Sequence, residues 1–228
     1  MYNVICVYTG TKYNVKFVNI LYNMVERNLS KPFNFYCLTD NQGQKFNSNI
    51  KLLDVPQPVL RTWWNKMHLF NPALNIEGNI LYVDLDVVIT GSLDEFFTDY
   101  KDEDFCVIRD FGQPDAIFNS SVLRYNIKHH KHIWHTYIAD KMRYRGHHGD
   151  QTVITEIMKD KPETKIMPDA WTYSFKWQER GKIGSYIKDD PTAHPYKPGS
   201  KICVFHGNPN PDEAVKNRSG KWIESHWF

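Results

Sequence analysis

The feature that most constrains this chain is the alternation in its first third of short apolar, β-branched runs with stretches of helical period. Residues 3–8 (NVICVY) read as a strand and stop at Thr9, Gly10 and Thr11. From residue 12 to about residue 28, Val15, Val18, Ile20, Leu21, Met24 and Val25 recur near helical spacing. Residues 33–38 and 50–55 read as further strands, residues 63–70 as a short helix ended by Asn71 and Pro72, and residues 80–83 as a fourth strand. Strand, helix, strand, strand, helix, strand predicts an α/β fold with a mainly parallel sheet flanked by helices. In such sheets ligands bind beyond the carboxyl ends of the strands, which directs attention to the loop after Tyr8 and the segment after Val83.

Beyond residue 83 the pattern loosens. Strands are expected over residues 105–109, 116–123, 165–167 and 202–205, and helices over 127 to about 145 and over 151–159. Residues 169–200 mix Gly, Pro and aromatics without a period and are expected to form an irregular wall over a cleft. No repeat or low-complexity linker interrupts the 228 residues, so a single domain is expected.

Composition removes several classes of function. A formal net charge of +2 is too small for bulk attraction to nucleic acid, so any phosphate binding must be local. No window holds the ~18 consecutive apolar residues of a membrane span, and the N-terminus lacks the pattern of a secretory signal. Cys6, Cys37, Cys106 and Cys203 lie far apart among apolar neighbours with no CxxC pair, the pattern of buried reduced thiols and of a cytoplasmic location.

The chemistry concentrates in ILYVDLDVVITGSLDEFF, residues 80–97. Asp84 and Asp86 are two apart at the end of an apolar run, so on an extended segment both side chains project to one side. Two carboxylates there lose hydration and repel one another unless a cation or shared proton offsets the cost. The spacing alone carries little weight, since composition predicts roughly one such pair by chance. Asp102 and Asp104 form the same pattern in a charge-rich turn, where a solvated loop is the better reading. For Asp84 and Asp86 the bland alternative is a pair of turn-capping aspartates.

The segment YVDLDVVITGSLDEFF resembles the strand–DxD–strand segment of the glycogenin and lipopolysaccharide-galactosyltransferase family. Three further segments match in order: residues 117–122 (IFNSSV) its F-N-S-G-V stretch, residues 149–151 (GDQ) its G-D-Q, and residues 205–211 (FHGNPNP) its late His/Gly/Lys-Pro segment. The resemblance implies the GT-A fold, with residues 1–90 as nucleotide-binding half, 91–211 as acceptor-side half and 212–228 as a C-terminal tail. It implies transfer of a hexose from a UDP-sugar to a saccharide, lipid or protein hydroxyl, with retention of anomeric configuration. It also implies Mn²⁺, or Mg²⁺, held by Asp84, Asp86 and His206, an oxygen-rich set that suits these ions better than zinc.

The same resemblance sets Thr9, Gly10, Thr11, Lys12 and Tyr13 beside the nucleotide, and Lys66, Leu85, Asn119, Ser120, Gly207 and Asn210 around the donor. Asp150 and Gln151 would lie beside the donor sugar and the anomeric carbon. An N-cap is the alternative role for Asp150. Asn210 stands where the family has a phosphate-binding Lys, and Lys216 or Arg218 are its candidate replacements. Ser121 stands where the family has Gly. Whether Asp150 acts as nucleophile, or the acceptor attacks from the leaving-group side, stays open. A nucleotidyltransferase and an inactive sugar-binding module are the rival readings. The first lacks its Gly-rich basic loop. His129, His130, His132 and His135 have no Cys or acidic partner at ligand spacing and read as a polar helix face. Trp63, Trp64, Trp171 and Trp177 read as core or cleft wall.

Overall fold

The computed structural model describes residues 1–144, 146–177 and 179–228. The chain runs β1 (Tyr2–Tyr8), α1 (Val15–Asn28), β2 (Phe33–Thr39), β3 (Ile50–Asp54), a 3-10 helix (Thr62–Phe70), β4 (Asn79–Val83) and β5 (Val87–Ile89). It continues through α2 (Glu95–Thr98), β6 (Phe105–Arg109), β7 (Phe118–Asn126), α3 (Ile127–Ala139), α4 (Lys141–Tyr144), α5 (Asp150–Met158) and β8 (Thr164–Ile166). It ends with β9 (Thr172–Ser174), β10 (Ile202–Val204), α6 (Pro211–Lys216) and a 3-10 turn (Lys221–Ser225).

Seven strands form one sheet in the order β3-β2-β1-β4-β7-β6-β8. β1, β2, β3 and β4 are mutually parallel, β6 is parallel to β8, and β7 runs antiparallel to both of its neighbours. The α/β fold with a mainly parallel sheet is therefore as expected from the alternating pattern. Three further strands make a small sheet, β5-β10-β9.

Alternation along the strands fills two cores, one on each face of the large sheet. Val4, Cys6 and Tyr8 of β1 join Leu81 and Val83 of β4 on the face covered by α1 and the small sheet. Ile5 of β1 and Ile80 and Tyr82 of β4 point the other way, toward Met67, Phe70, Ile133 and Val153. The four cysteines are all buried. No helix among the described residues is long and apolar enough to cross a membrane.

Several local expectations shift. The first helix begins at Val15 rather than Lys12, because Asn14 caps it by accepting from the Lys16 amide at 3.0 Å. Residues 62–70 wind as a 3-10 helix, and β7 extends three residues past the expected strand end at residue 123. The helix expected over residues 127–145 breaks at Asp140 into α3 and α4, and Arg145 lies outside the described residues.

Asp102 and Asp104 are not simply solvated. Asp104 is buried and accepts from the Lys101 amide at 2.9 Å, while Asp102 accepts from Asn126 Nδ2 and pairs with His129 Nε2, both at 3.0 Å. The fully buried Arg124 donates to the carbonyls of Lys101, Asp104 and Tyr100 and so ties this turn to β7. The second DxD is a folded turn with structural work to do. His130 is buried against Asn126, and burial lowers its imidazole to about 4, so it stays neutral in the core.

Candidate active site

The two aspartates sit where the chain leaves the large sheet for the small one. β4 ends at Val83 and β5 begins at Val87, and the turn between them is held from both sides by backbone bonds. The Asp84 amide donates to the Ser121 carbonyl of β7 at 2.9 Å, and the Asp86 carbonyl accepts from the Phe205 amide after β10 at 3.0 Å. Leu85 between them is buried, which turns the backbone into the core and leaves the flanking carboxylates at the rim.

These carboxylates line a cleft of about 610 Å³ together with Thr9, Gly10, Thr11, Lys12, Tyr13 and Lys66. The loop after β1 is shaped by Gly10, whose φ of +70° lies in the left-handed region. The Gly10 amide donates to both oxygens of Asp40 at 3.2 Å, and Thr9 Oγ1 accepts from Asn65 Nδ2 at 3.1 Å. The loop is thus pinned to β2 and to the 3-10 helix.

Each acid already faces a cation. Lys66 Nζ donates to Asp84 at 2.9 and 3.0 Å, and Asp84 also accepts from the Tyr82 hydroxyl. The same ammonium lies 3.7 Å from Asp150 Oδ2 and 3.4 Å from Ser120 Oγ. Burial pulls the Lys66 ammonium down, but Asp150 and Asp84 outweigh it and hold it above its ordinary value. Asp86 accepts from the Tyr13 hydroxyl at 2.7 Å, with the exposed Lys12 ammonium 3.7 Å away. Burial, and then the charge of Asp84, push the Asp86 carboxyl up to about 6 from an ordinary 3.8, against the pull of Lys12. Burial also raises Asp150, offset in part by Lys66, and its Oδ2 has no hydrogen-bond donor among the described residues.

His206 follows Phe205, one residue from the bond to Asp86. Its Nε2 shares a 2.6 Å hydrogen bond with Ser174 Oγ, and its ring packs on Trp177 at 4.2 Å and Phe111 at 5.8 Å. Burial, and then Lys176, lower the imidazole to about 4, so it is neutral at pH 7. Among the described residues no three His, Cys, Asp or Glu side chains come together as a metal-binding group. The fold therefore gathers Asp84 and Asp86 but does not add His206 to them in this conformation. The pair still fits a divalent cation. Mg²⁺ is commonly held by one or two carboxylates with substrate phosphates and water completing its shell, and a buried Asp86 beside the charge of Asp84 is the kind of site such an ion relieves.

The remaining sequence candidates divide. Asn119 accepts from the Ser121 amide at 3.0 Å and Ser120 faces Lys66, so both support the acids from β7. Asp150 opens α5 and is buried behind Lys66, 3.7 Å from its ammonium, whereas Gln151 is half-buried and its carbonyl accepts from Thr155 Oγ1 at 2.7 Å. Asn210 is the N-cap of α6, its backbone amide donating to Glu213 Oε2 at 2.8 Å. Lys216 sits 3.6 Å from Asp212.

Sequence reasoning missed Lys176. Its ammonium donates to the Asn208 carbonyl at 3.1 Å, and a Cβ on Gly207 would lie 3.7 Å from it. Burial lowers Lys176 while Asp86 raises it, so it shares a field with the acids. It lies in the aperiodic stretch before β10, where no motif could have marked it.

No family model matches the sequence, and no curated protein matches it. Solved structures do. The galactosyltransferase LgtC, in complex with donor and acceptor sugar analogs, shares 15% identity over 92% of this chain and 88% of its own, with a TM-score of 0.64. The glycosyltransferase GlyE of Streptococcus pneumoniae TIGR4 shares 16% over all of this chain and 60% of its own, at 0.68. Mouse xyloside xylosyltransferase 1 shares 16% over 91% of this chain and 98% of its own, at 0.57. The sheet order, the small second sheet and this likeness along nearly the whole chain identify the architecture as the GT-A fold.

Proposed function

We propose that this chain transfers a sugar from a nucleotide-diphosphate donor, a UDP-hexose in the first instance, to a hydroxyl acceptor. The observation that carries the reading is the convergence of Asp84 and Asp86 at the end of β4, in a cleft walled by the Thr9–Tyr13 loop and Lys66. Burial and the neighbouring Asp84 raise the Asp86 carboxyl, the kind of perturbation that clusters at functional sites and so supports the reading.

In this reading Asp84 and Asp86 hold Mn²⁺ or Mg²⁺, which neutralises charge on the departing diphosphate. The chain's own groups do the rest. Lys12 stands at the mouth of the cleft, exposed enough to reach a phosphate. Lys66 bridges Asp84 and Asp150 and holds them at fixed separation. Tyr13, raised by burial and by Asp86, remains a hydroxyl at all working pH and can donate only one hydrogen bond, which goes to Asp86. Lys176 supplies positive charge beside Gly207 and Asn208 and takes the phosphate role that Asn210 cannot. Asp150, paired with Lys66 at 3.7 Å behind the cleft wall, is placed next to the sugar end of the donor in this reading. Positive charge fixed where negative charge develops stabilises the transition state more than the ground state.

The test is release of UDP from UDP-glucose and UDP-galactose with and without Mn²⁺. Release should require the ion and should fall by about 100-fold or more in Asp84→Asn and Asp86→Asn, the scale of losing a main electrostatic group. Release unaffected by these changes refutes the reading. One observation favours a second possibility, a sugar-nucleotide-binding module without turnover: His206 is engaged by Ser174 rather than gathered with the acids. Micromolar UDP binding without release from any donor would select it.

A further inference from the structure

A second cleft of about 560 Å³ adjoins the donor cleft, and residues 60–64 form the ridge between them. Leu60 and Thr62 line both. Trp63 faces the donor side and Trp64 the other. The ridge is held in place. Thr62 adopts a left-handed φ of +52°, rare for a β-branched residue, and Asn65 accepts from the Leu60 amide at 3.2 Å while donating to Thr9. Trp63, 57% exposed, lies over Gly149, immediately before Asp150. A molecule crossing the ridge therefore passes from the second cleft to the reacting end of the first.

The two clefts differ in chemistry. The donor cleft carries Asp40, Asp84 and Asp86. The second carries no carboxylate among its described lining residues, and its two cations, Arg61 and Lys141, have no ion-pair partner among the described residues. Its wall is aromatic: Trp64 stacks on Tyr137 with ring centroids 5.6 Å apart and planes within 14°. Flat rings accept the C–H face of a pyranose, and unpaired cations beside them accept an anion. The volume lies within the usual range for a ligand pocket.

Resting on the glycosyltransferase reading, we propose that this cleft seats the distal part of the acceptor and selects acidic saccharides, pyranosides bearing a carboxylate or a phosphate. The attacking hydroxyl belongs to the unit that crosses the Trp63 ridge toward Asp150. The anion belongs to the unit left behind against Arg61 and Lys141.

The test is calorimetric titration of the full chain with trigalacturonate, 6-phosphorylated maltotriose and neutral maltotriose, each with and without UDP. At least one acidic ligand should bind about tenfold or more tighter than the neutral one, the scale of one or two charge-assisted contacts. The two acidic ligands tell carboxylate from phosphate recognition. The double variant Arg61→Gln/Lys141→Gln should lose the preference and keep its affinity for UDP. Arg61→Gln alone, at an exposed position, should weaken it severalfold and guards against a folding defect in the double variant. Equal binding of neutral and acidic ligands, no binding of any, or a preference that survives the double variant overturns the proposal. UDP affinity is read in the same titrations, so failure of the donor reading shows separately as a chain that does not bind UDP.

Discussion

Replacing Asp86 by Asn removes a buried negative charge and keeps an oxygen to accept from the Tyr13 hydroxyl. The Asp86 carboxyl is raised from an ordinary 3.8 to about 6, chiefly by burial and then by Asp84. The folded state therefore holds the proton more tightly than the unfolded chain does. The ionised acid costs stability above the folded pKa, and that cost is relieved as pH falls toward the unfolded value. That displacement corresponds to ~3 kcal/mol at pH 7.5, falling to ~1 kcal/mol at pH 4.5. Asp86→Asn should thus stabilise the metal-free chain by up to ~3 kcal/mol at pH 7.5, with an advantage of only ~1 kcal/mol at pH 4.5. Urea unfolding of both proteins in chelator at the two pH values measures this directly. Mn²⁺ should then stabilise the wild type and leave the variant unmoved, because the ion relieves the charge that the substitution removed. A variant that is no more stable than the wild type at pH 7.5, or an advantage that does not shrink on acidification, would refute the electrostatic argument for the site.

Lys176→Met should weaken UDP binding roughly tenfold with little change in unfolding free energy, since the ammonium's hydrogen bond among the described residues is to the carbonyl of exposed Asn208. Fluorescence titration together with a melt separates the two effects. Arg124→Met should cost about 2–4 kcal/mol by leaving the carbonyls of Lys101, Asp104 and Tyr100 without their buried donor, and UDP affinity should be retained.

What could be read from the sequence was whatever the chain encodes locally. The runs that became β1, β2 and β4 are legible because largely buried parallel strands are rich in apolar residues, and Asp84 and Asp86 stand out because they close such a run, although turn capping would have given the same spacing. The three-residue strands β5 and β9 carry no such signal. They exist because β10 pairs with both, a contact across more than a hundred residues in the case of β5. The helix break at Asp140 and the 3-10 winding of Thr62–Phe70 follow from packing rather than from period. The engagement of His206 by Ser174 and the reach of Lys176 to Asn208 each join segments 32 residues apart, and neither residue type nor spacing announces them. Trp63 and Trp64 illustrate the same limit. Neighbours in sequence, they face different clefts, because successive residues of the 3-10 helix project about a third of a turn apart.

The turn that carries both acids is gripped by main-chain bonds to β7 on one side and to the end of β10 on the other. The spacing of the carboxylates is consequently a property of how two sheets meet, set during folding and insensitive to whether a ligand has arrived. On the proposed reading, an ion would meet a backbone turn already in place, and little of its binding energy would go into rearranging that turn. The corollary is a vulnerability at a distance: a substitution in β7 or β10 that slides either sheet will disturb the acids without touching them.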